Sequence, residues 1–151
     1  MNTQHFLVPI DFSTYSDQAL TYAITLATQL RARLTLLHVL HELSMVMGDM
    51  ASALPDTYLQ ELEAEARRGL EERLKRVHAA GLQGDIVTVH GVPFQSIIDT
   101  AHDQKVDLIV MGTHGRTGLP HALVGSVAEK VVRLAPCPVL VTRGAASTAV
   151  Q

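Results

Sequence analysis

Five short, mainly apolar runs, the first four each followed by a helical segment, restrict this chain more than any other feature. The runs occupy residues 6–10, 34–40, 85–90, 107–111 and 138–142. Between them Ala19, Leu20, Ala23, Ile24, Ala27 and Leu30 recur at steps of three and four. So do Leu59, Leu62, Ala66, Leu70, Leu74 and Val77. A strand that is apolar throughout, rather than at alternate positions, is buried on both faces. Strands that alternate with helices form a parallel sheet with helices over both faces, and right-handed crossovers leave a doubly wound sheet as the simplest topology. The expected fold is therefore α/β: a three-layer, doubly wound open sheet of five parallel strands, in the order βαβαβαβαβ.

Local signals place the boundaries. Pro9 falls near the end of the first strand, where a missing N–H is tolerated. Ser13 or Ser16 is suited to cap the first helix. Gly81 is suited to stop the helix that begins near Asp56, and Pro93 to sit in the first turn of the next one. Residues 41–54 sustain no period and hold Met45, Met47 and Met50, which predicts a mobile loop. The reading is a single domain over 1–151, with an ordered core over about 3–143.

Composition bounds the function. The net charge of −3, from 12 basic and 15 acidic residues, leaves no basic excess to neutralise a run of phosphates. That argues against duplex nucleic acid as a partner. Cys137 is the only cysteine, so there is no internal disulfide and no thiolate metal cage. Between two prolines at a strand entrance, it reads as a small packed residue. His38 and His41 alone do not make a zinc site. No run reaches the roughly 18–20 apolar residues of a membrane span, and no signal peptide is evident. The expectation is a cytoplasmic protein without membrane contact.

In an open α/β sheet, ligands bind beyond the carboxyl ends of the strands, where the strand order reverses. The residues that fall there are Asp11, the Val39-Leu40 end of the second run, and the glycine-rich segment 112–125. Glycine lets backbone approach a ligand closely, and the N-terminus of the last helix offers unpaired N–H donors. Gly112, Gly115, Gly125 and Ser126 thus suit a phosphate cradle, with Arg116 available for a charge-assisted contact. The spacing matches neither the P-loop pattern nor the dinucleotide fingerprint. Two residues keep two readings. Ser126-Val-Ala-Glu129 is also a capping box, so the hydroxyl can serve the helix instead of a phosphate. His114 is either a plain loop residue or a ligand contact.

Met111-Gly-Thr-His-Gly115, nine residues, then Gly125-Ser126 is G-x2-G-x9-G-S. Together with Val8-Pro-Ile-Asp-Phe-Ser13, Leu37-His-Val39 and Cys137-Pro-Val-Leu-Val141, it resembles the ATP-binding universal stress proteins over about residues 3–143. The resemblance implies an adenine nucleotide alpha hydrolase-like fold and a nucleotide site. Pro9 and Val39 would enclose the adenine, Asp11 would contact the adenosine, and Met111 and Gly112 would line the nucleoside pocket. His114, Gly115 and Arg116 would approach the phosphates, with Gly125, Ser126 and Val127 completing the cradle. The cofactor is then ATP, with Mg2+ or Mn2+. The role implied is a nucleotide-dependent sensor or regulator of stress response, acting as a homodimer paired through residues 138–142. AMP, a cyclic nucleotide or another adenine nucleotide as the physiological ligand stays open. A non-nucleotide interaction module and a slow ATPase or adenylyl-transfer enzyme are the alternatives. Asp11 is the only acidic candidate at the site, so little turnover is expected.

Overall fold

The computed structural model describes residues 4–42, 47–114 and 124–144. Its elements are β1 (His5–Pro9), α1 (Thr14–Leu30), β2 (Arg33–His41), a 3-10 helix (Gly48–Ala53), α2 (Asp56–Ala79), β3 (Gly84–Gly91), α3 (Pro93–Asp103), β4 (Leu108–Gly112), α4 (Ser126–Leu134) and β5 (Val139–Thr142). The sheet has five strands in the order β3-β2-β1-β4-β5, and every pairing is parallel.

Burial on two faces explains the apolar runs of β1, β2 and β4, whereas the edge strands β3 and β5 are only partly buried. Phe6 and Val8 of β1, Ile10 just past it, and Leu34 and Leu36 of β2 pack against Ala19, Leu20, Ala23 and Ala27 of α1 and Leu70 and Val77 of α2. Leu7, Leu37, Ile109 and Met111 point the other way, onto Ile97 and Ala101 of α3 and Ala128 and Val131 of α4. Neighbouring strand residues therefore serve opposite cores, as the period of two requires.

Helix boundaries follow side-chain chemistry. Ser13 caps α1, its hydroxyl accepting the Ser16 N–H at 3.2 Å. Pro93 opens α3 at a position whose N–H has no intrahelical partner. Gly81 follows the end of α2 with φ of +79°, a conformation that glycine adopts without strain. Two sequence expectations need correction. The interval 41–54 is not irregular throughout: β2 runs on to His41, and Gly48–Ala53 forms the 3-10 helix. Residues 43–46, Met45 among them, lie outside the described residues. The capping box at Ser126 is also not formed. Gly125 is the N-cap of α4, Ser126 is its first helical residue, and no side chain caps the helix.

The chain leaves β1 for β2 and β3 on one side, then returns across β1 to β4 and β5 on the other. The reversal between β1 and β4 is the switch point where such sheets take ligands. Pro9 shapes it. The Ile10 N–H donates to Leu37 of β2 at 2.7 Å, so alternation turns the nitrogen of residue 9 toward β4. Proline has no N–H to give there, and the β1–β4 ladder ends at Leu7 and Ile109.

Candidate nucleotide site

Strand register assembles most of the expected residues at one end of the sheet. Counting on from Leu7 beside Ile109 sets Pro9 level with Met111 and Asp11 level with Thr113. Pro9 pairs with Leu37, which sets Val39 level with Asp11 on the other side. Met111 is buried in the cluster under α3 and α4, and Val39, Phe94 and Val127 pack against that cluster. Val39, Met111 and Val127 thus contribute to one apolar wall.

Asp11 sits in a tight turn just past β1. Its Oδ1 accepts the Ser13 N–H at 3.0 Å, and its own N–H donates to Ser16 Oγ at 3.4 Å. With Oδ1 engaged in the turn, Oδ2 is the oxygen able to take a donor from a ligand. Between them Phe12 has φ of +66°, which is strained for a bulky residue.

On the β4 side, the two ends of the glycine-rich segment are tied together. The Thr113 N–H donates to the Thr142 carbonyl at 3.0 Å, and the Gly125 N–H donates to the Thr113 carbonyl at 2.7 Å. Neither Gly112 nor Gly125 has positive φ. Their lack of a side chain serves close approach instead. A Cβ on Gly112 would meet the Tyr15 carbonyl at 2.9 Å, and one on Gly125 would meet the Thr113 carbonyl at 2.8 Å.

Gly125 matters in a second way. N-caps are usually Ser, Thr, Asp or Asn, whose side-chain oxygen takes one of the free amides of the first turn. Glycine supplies none. The first intrahelical bond runs from the Glu129 N–H to the Gly125 carbonyl at 2.9 Å. The amides of Ser126, Val127 and Ala128 are left for an outside acceptor at the positive end of the helix dipole. Ser126 is exposed beside them.

His114 folds back from the loop. Its Nδ1 lies 3.0 Å from Thr113 Oγ1, its ring tilts against Tyr15 with centroids 5.4 Å apart, and its Nε2 is buried with no hydrogen-bond partner among the described residues. Gly115 and Arg116, both expected at the phosphates, lie outside the described residues. Among the described residues, no group of three His, Cys, Asp or Glu side chains comes together to hold a metal. His38 and Cys137 have other roles. The His38 Nδ1 lies 2.7 Å from the Ile10 carbonyl, which can only accept, so this nitrogen carries the proton. Cys137 packs against the α3/α4 cluster, and burial pushes its thiol pKa up, away from reactivity.

The sequence reading missed Phe12, Thr113, Tyr15 and Thr142. Thr113 and Thr142 act through backbone groups, which leave no side-chain signature. Phe12 was visible as a large apolar residue inside a polar turn, but not its backbone conformation. A groove of about 850 Å3 opens on the α2 side of Phe12, between His38, Leu40, Leu62 and Gly69. None of Pro9, Asp11, Met111, Gly112 or Ser126 lines it.

The family model for the universal stress protein family matches residues 2–143. This chain belongs to the universal stress protein family. Universal stress protein YxiE of Bacillus subtilis is 33% identical over 143 residues, covering 91% of this chain and 97% of its own length. The solved structure of MJ0577 from Methanocaldococcus jannaschii superposes with a TM-score of 0.81 at 30% identity, covering 95% of this chain and 97% of that one. A universal stress protein from Archaeoglobus fulgidus, solved in complex with dAMP, has a TM-score of 0.68 at 20% identity, covers 93% of this chain and 97% of that one, and shares the fold. No helix among the described residues is long and apolar enough to cross a membrane.

Proposed function

We propose that this universal stress protein binds ATP at the β1–β4 switch point and acts as a nucleotide-dependent regulator in a homodimer. The observation that carries the reading is the glycine N-cap of α4, which leaves the amides of Ser126, Val127 and Ala128 without a side-chain acceptor at the mouth of the site. A phosphate satisfies these donors and takes up the helix dipole. The Ser126 hydroxyl, with no cap bond to make, is available to the same phosphate. Val39, Met111 and Val127 offer the adenine an apolar surface, with Pro9 at its edge. Asp11 Oδ2 takes a ribose or adenine donor. His114, Gly115 and Arg116 approach the phosphates from the loop. Mg2+ or Mn2+ enters with the nucleotide, held by its phosphates and water, and its charge offsets theirs.

A binding role fits these residues better than a catalytic one, because Asp11 is the one carboxylate of the set and its turn already uses one oxygen. A dimer fits the outer edge of β5, which no other strand covers among the described residues. The cytoplasm is the proposed compartment. The test is calorimetric titration of nucleotide-free protein with ATP and Mg2+. Saturable micromolar binding, weaker for AMP and lost in Asp11→Ala, supports the reading. A protein that takes up no ATP overturns it and leaves an interaction module in its place.

A further inference from the structure

We infer that Phe12 is a positioning residue for the nucleotide site, and that α2, which contributes none of the proposed nucleotide contacts, sets nucleotide affinity by clamping its ring. The inference rests on the proposed role of Asp11. The Asp11 carboxylate is aimed by the turn in which Oδ1 accepts the Ser13 N–H, and that turn passes through Phe12 at φ of +66°. A bulky residue keeps such a conformation only where its surroundings over-determine it.

Contacts from β2 and α2 do so. His38 brackets Asp11: Nδ1–H donates to the Ile10 carbonyl at 2.7 Å, one residue before it, and the imidazole packs on the Phe12 ring, one residue after it, with centroids 4.6 Å apart. From α2, the Arg73 guanidinium lies over the same ring, 4.9 Å from its centroid. Arg73 is itself fixed by two bonds to Asp17 of α1, from Nε to Oδ1 at 2.6 Å and from Nη2 to Oδ2 at 3.0 Å. That fork ties α2 to the first turn of the helix that follows Asp11. Finally, α2 has a notch for the ring. A Cβ on Gly69 would stand 2.6 Å from Phe12 Cε1. Glycine inside a 24-residue helix costs helix stability, so its presence opposite this ring needs a packing reason, and the notch supplies one.

The consequence is mechanical. A displacement of α2 that frees the Phe12 ring lets the strained turn relax, and the Asp11 carboxylate loses its aim. A partner or second copy that shifts α2 thereby changes nucleotide affinity without touching the nucleotide. The α2 surface is the regulatory face of the site.

The experiment measures ATP·Mg2+ affinity by calorimetry in the full chain, with thermal melts confirming folded protein. Phe12→Gly is the sharper variant, because glycine accepts positive φ without strain and takes away the ring that α2 clamps. It should weaken ATP binding by about tenfold or more, and Gly69→Ala should do the same by pushing the ring. The double variant should be no weaker than Phe12→Gly, since the new methyl then meets no ring. Phe12→Tyr should keep near wild-type affinity. Wild-type affinity in Phe12→Gly, or additive losses in the double variant, would overturn the clamp. If the wild type binds ATP and Asp11→Ala loses it while Phe12→Gly and Gly69→Ala do not, the clamp alone is wrong. If the wild type binds no ATP, the site assignment falls and takes the clamp with it.

Discussion

The Gly125 amide donates to the Thr113 carbonyl across 2.7 Å, and a Cβ on Gly125 would stand 2.8 Å from that same oxygen. One contact therefore closes the glycine-rich segment and forbids a side chain at its end. Gly125→Val should cost stability, about 1–3 kcal/mol from forced overpacking, as well as nucleotide affinity. Ser126→Ala is the cleaner probe of the phosphate cradle. Its hydroxyl caps nothing, so stability should stay within about 0.5 kcal/mol while ATP affinity falls. Urea denaturation alongside calorimetry checks both. A stability loss near that of a deleted N-cap in Ser126→Ala would return the hydroxyl to the helix.

Asp11 supports a second prediction that separates fold from binding. Asn at this position keeps a side-chain carbonyl to accept the Ser13 N–H, whereas Ala does not. Asp11→Asn should therefore hold wild-type stability, and Asp11→Ala should lose about 0.5–1.5 kcal/mol with its hydrogen bond. Both should bind ATP more weakly, because neither offers a carboxylate. Normal ATP affinity in Asp11→Asn would reduce Asp11 to a turn residue.

The strands were legible because burial on two faces leaves a run such as Phe6 to Val8 with no polar alternation to confuse it. The switch point followed from element order alone, so Asp11, Gly112 and the α4 terminus were found without coordinates. The misreadings share a cause. Ser126 and Glu129 have capping-box spacing, but the helix starts at Ser126 itself and Gly125, bonded to Thr113 of the neighbouring turn, is the N-cap. Gly48–Ala53 is too short to show a period. The φ of Phe12 is imposed by His38, Arg73 and Gly69, which are distant in sequence and carry no local signal for it. Gly112 reads in the sequence as a point of close backbone approach to a ligand, and the close approach the structure shows there is that of the Tyr15 carbonyl.

Away from the site, His5 predicts a pH dependence of stability. It is 3% exposed, with Nε2 2.7 Å from Thr35 Oγ1, whose hydroxyl donates to Asp85 Oδ1 at 2.6 Å. The threonine oxygen thus accepts from Nε2–H, and Nδ1 is left buried without a partner among the described residues. Burial, then the Arg33 charge, lowers the His5 pKa from its ordinary value, against the opposing pull of Asp85, the Gln104 backbone and Asp107. The unfolded chain therefore takes the proton first as pH falls. Above the ordinary histidine pKa of about 6.5 the group contributes no pH dependence. Below it, stability should fall by up to about 1.4 kcal/mol per pH unit until the folded pKa is reached. Urea midpoints between pH 7 and 5 should drop more steeply for the wild type than for His5→Gln. Parallel curves would remove His5 from the account.

The outer edge of β5 yields a test of the dimer that spares the protomer. The Ile109 N–H donates to the Pro138 carbonyl and the Thr113 N–H to the Thr142 carbonyl, each at 3.0 Å. Even-numbered residues of β5 therefore face β4, and alternation turns the backbone of Val139 and Val141 outward. A second copy pairing along this edge would use the Val141 N–H, and the neighbouring Val132 and Leu134, 52% and 51% exposed, would add apolar area. Val141→Pro removes that outward donor and leaves the β4 ladder its own bonds. Sedimentation velocity should show a dimer for the wild type and a folded monomer for Val141→Pro, with ATP affinity unchanged because the switch point lies at β1 and β4. A variant that stays dimeric would move the interface away from β5, and the apolar surface of Val132 and Leu134 on α4 would be the next place to put a charge.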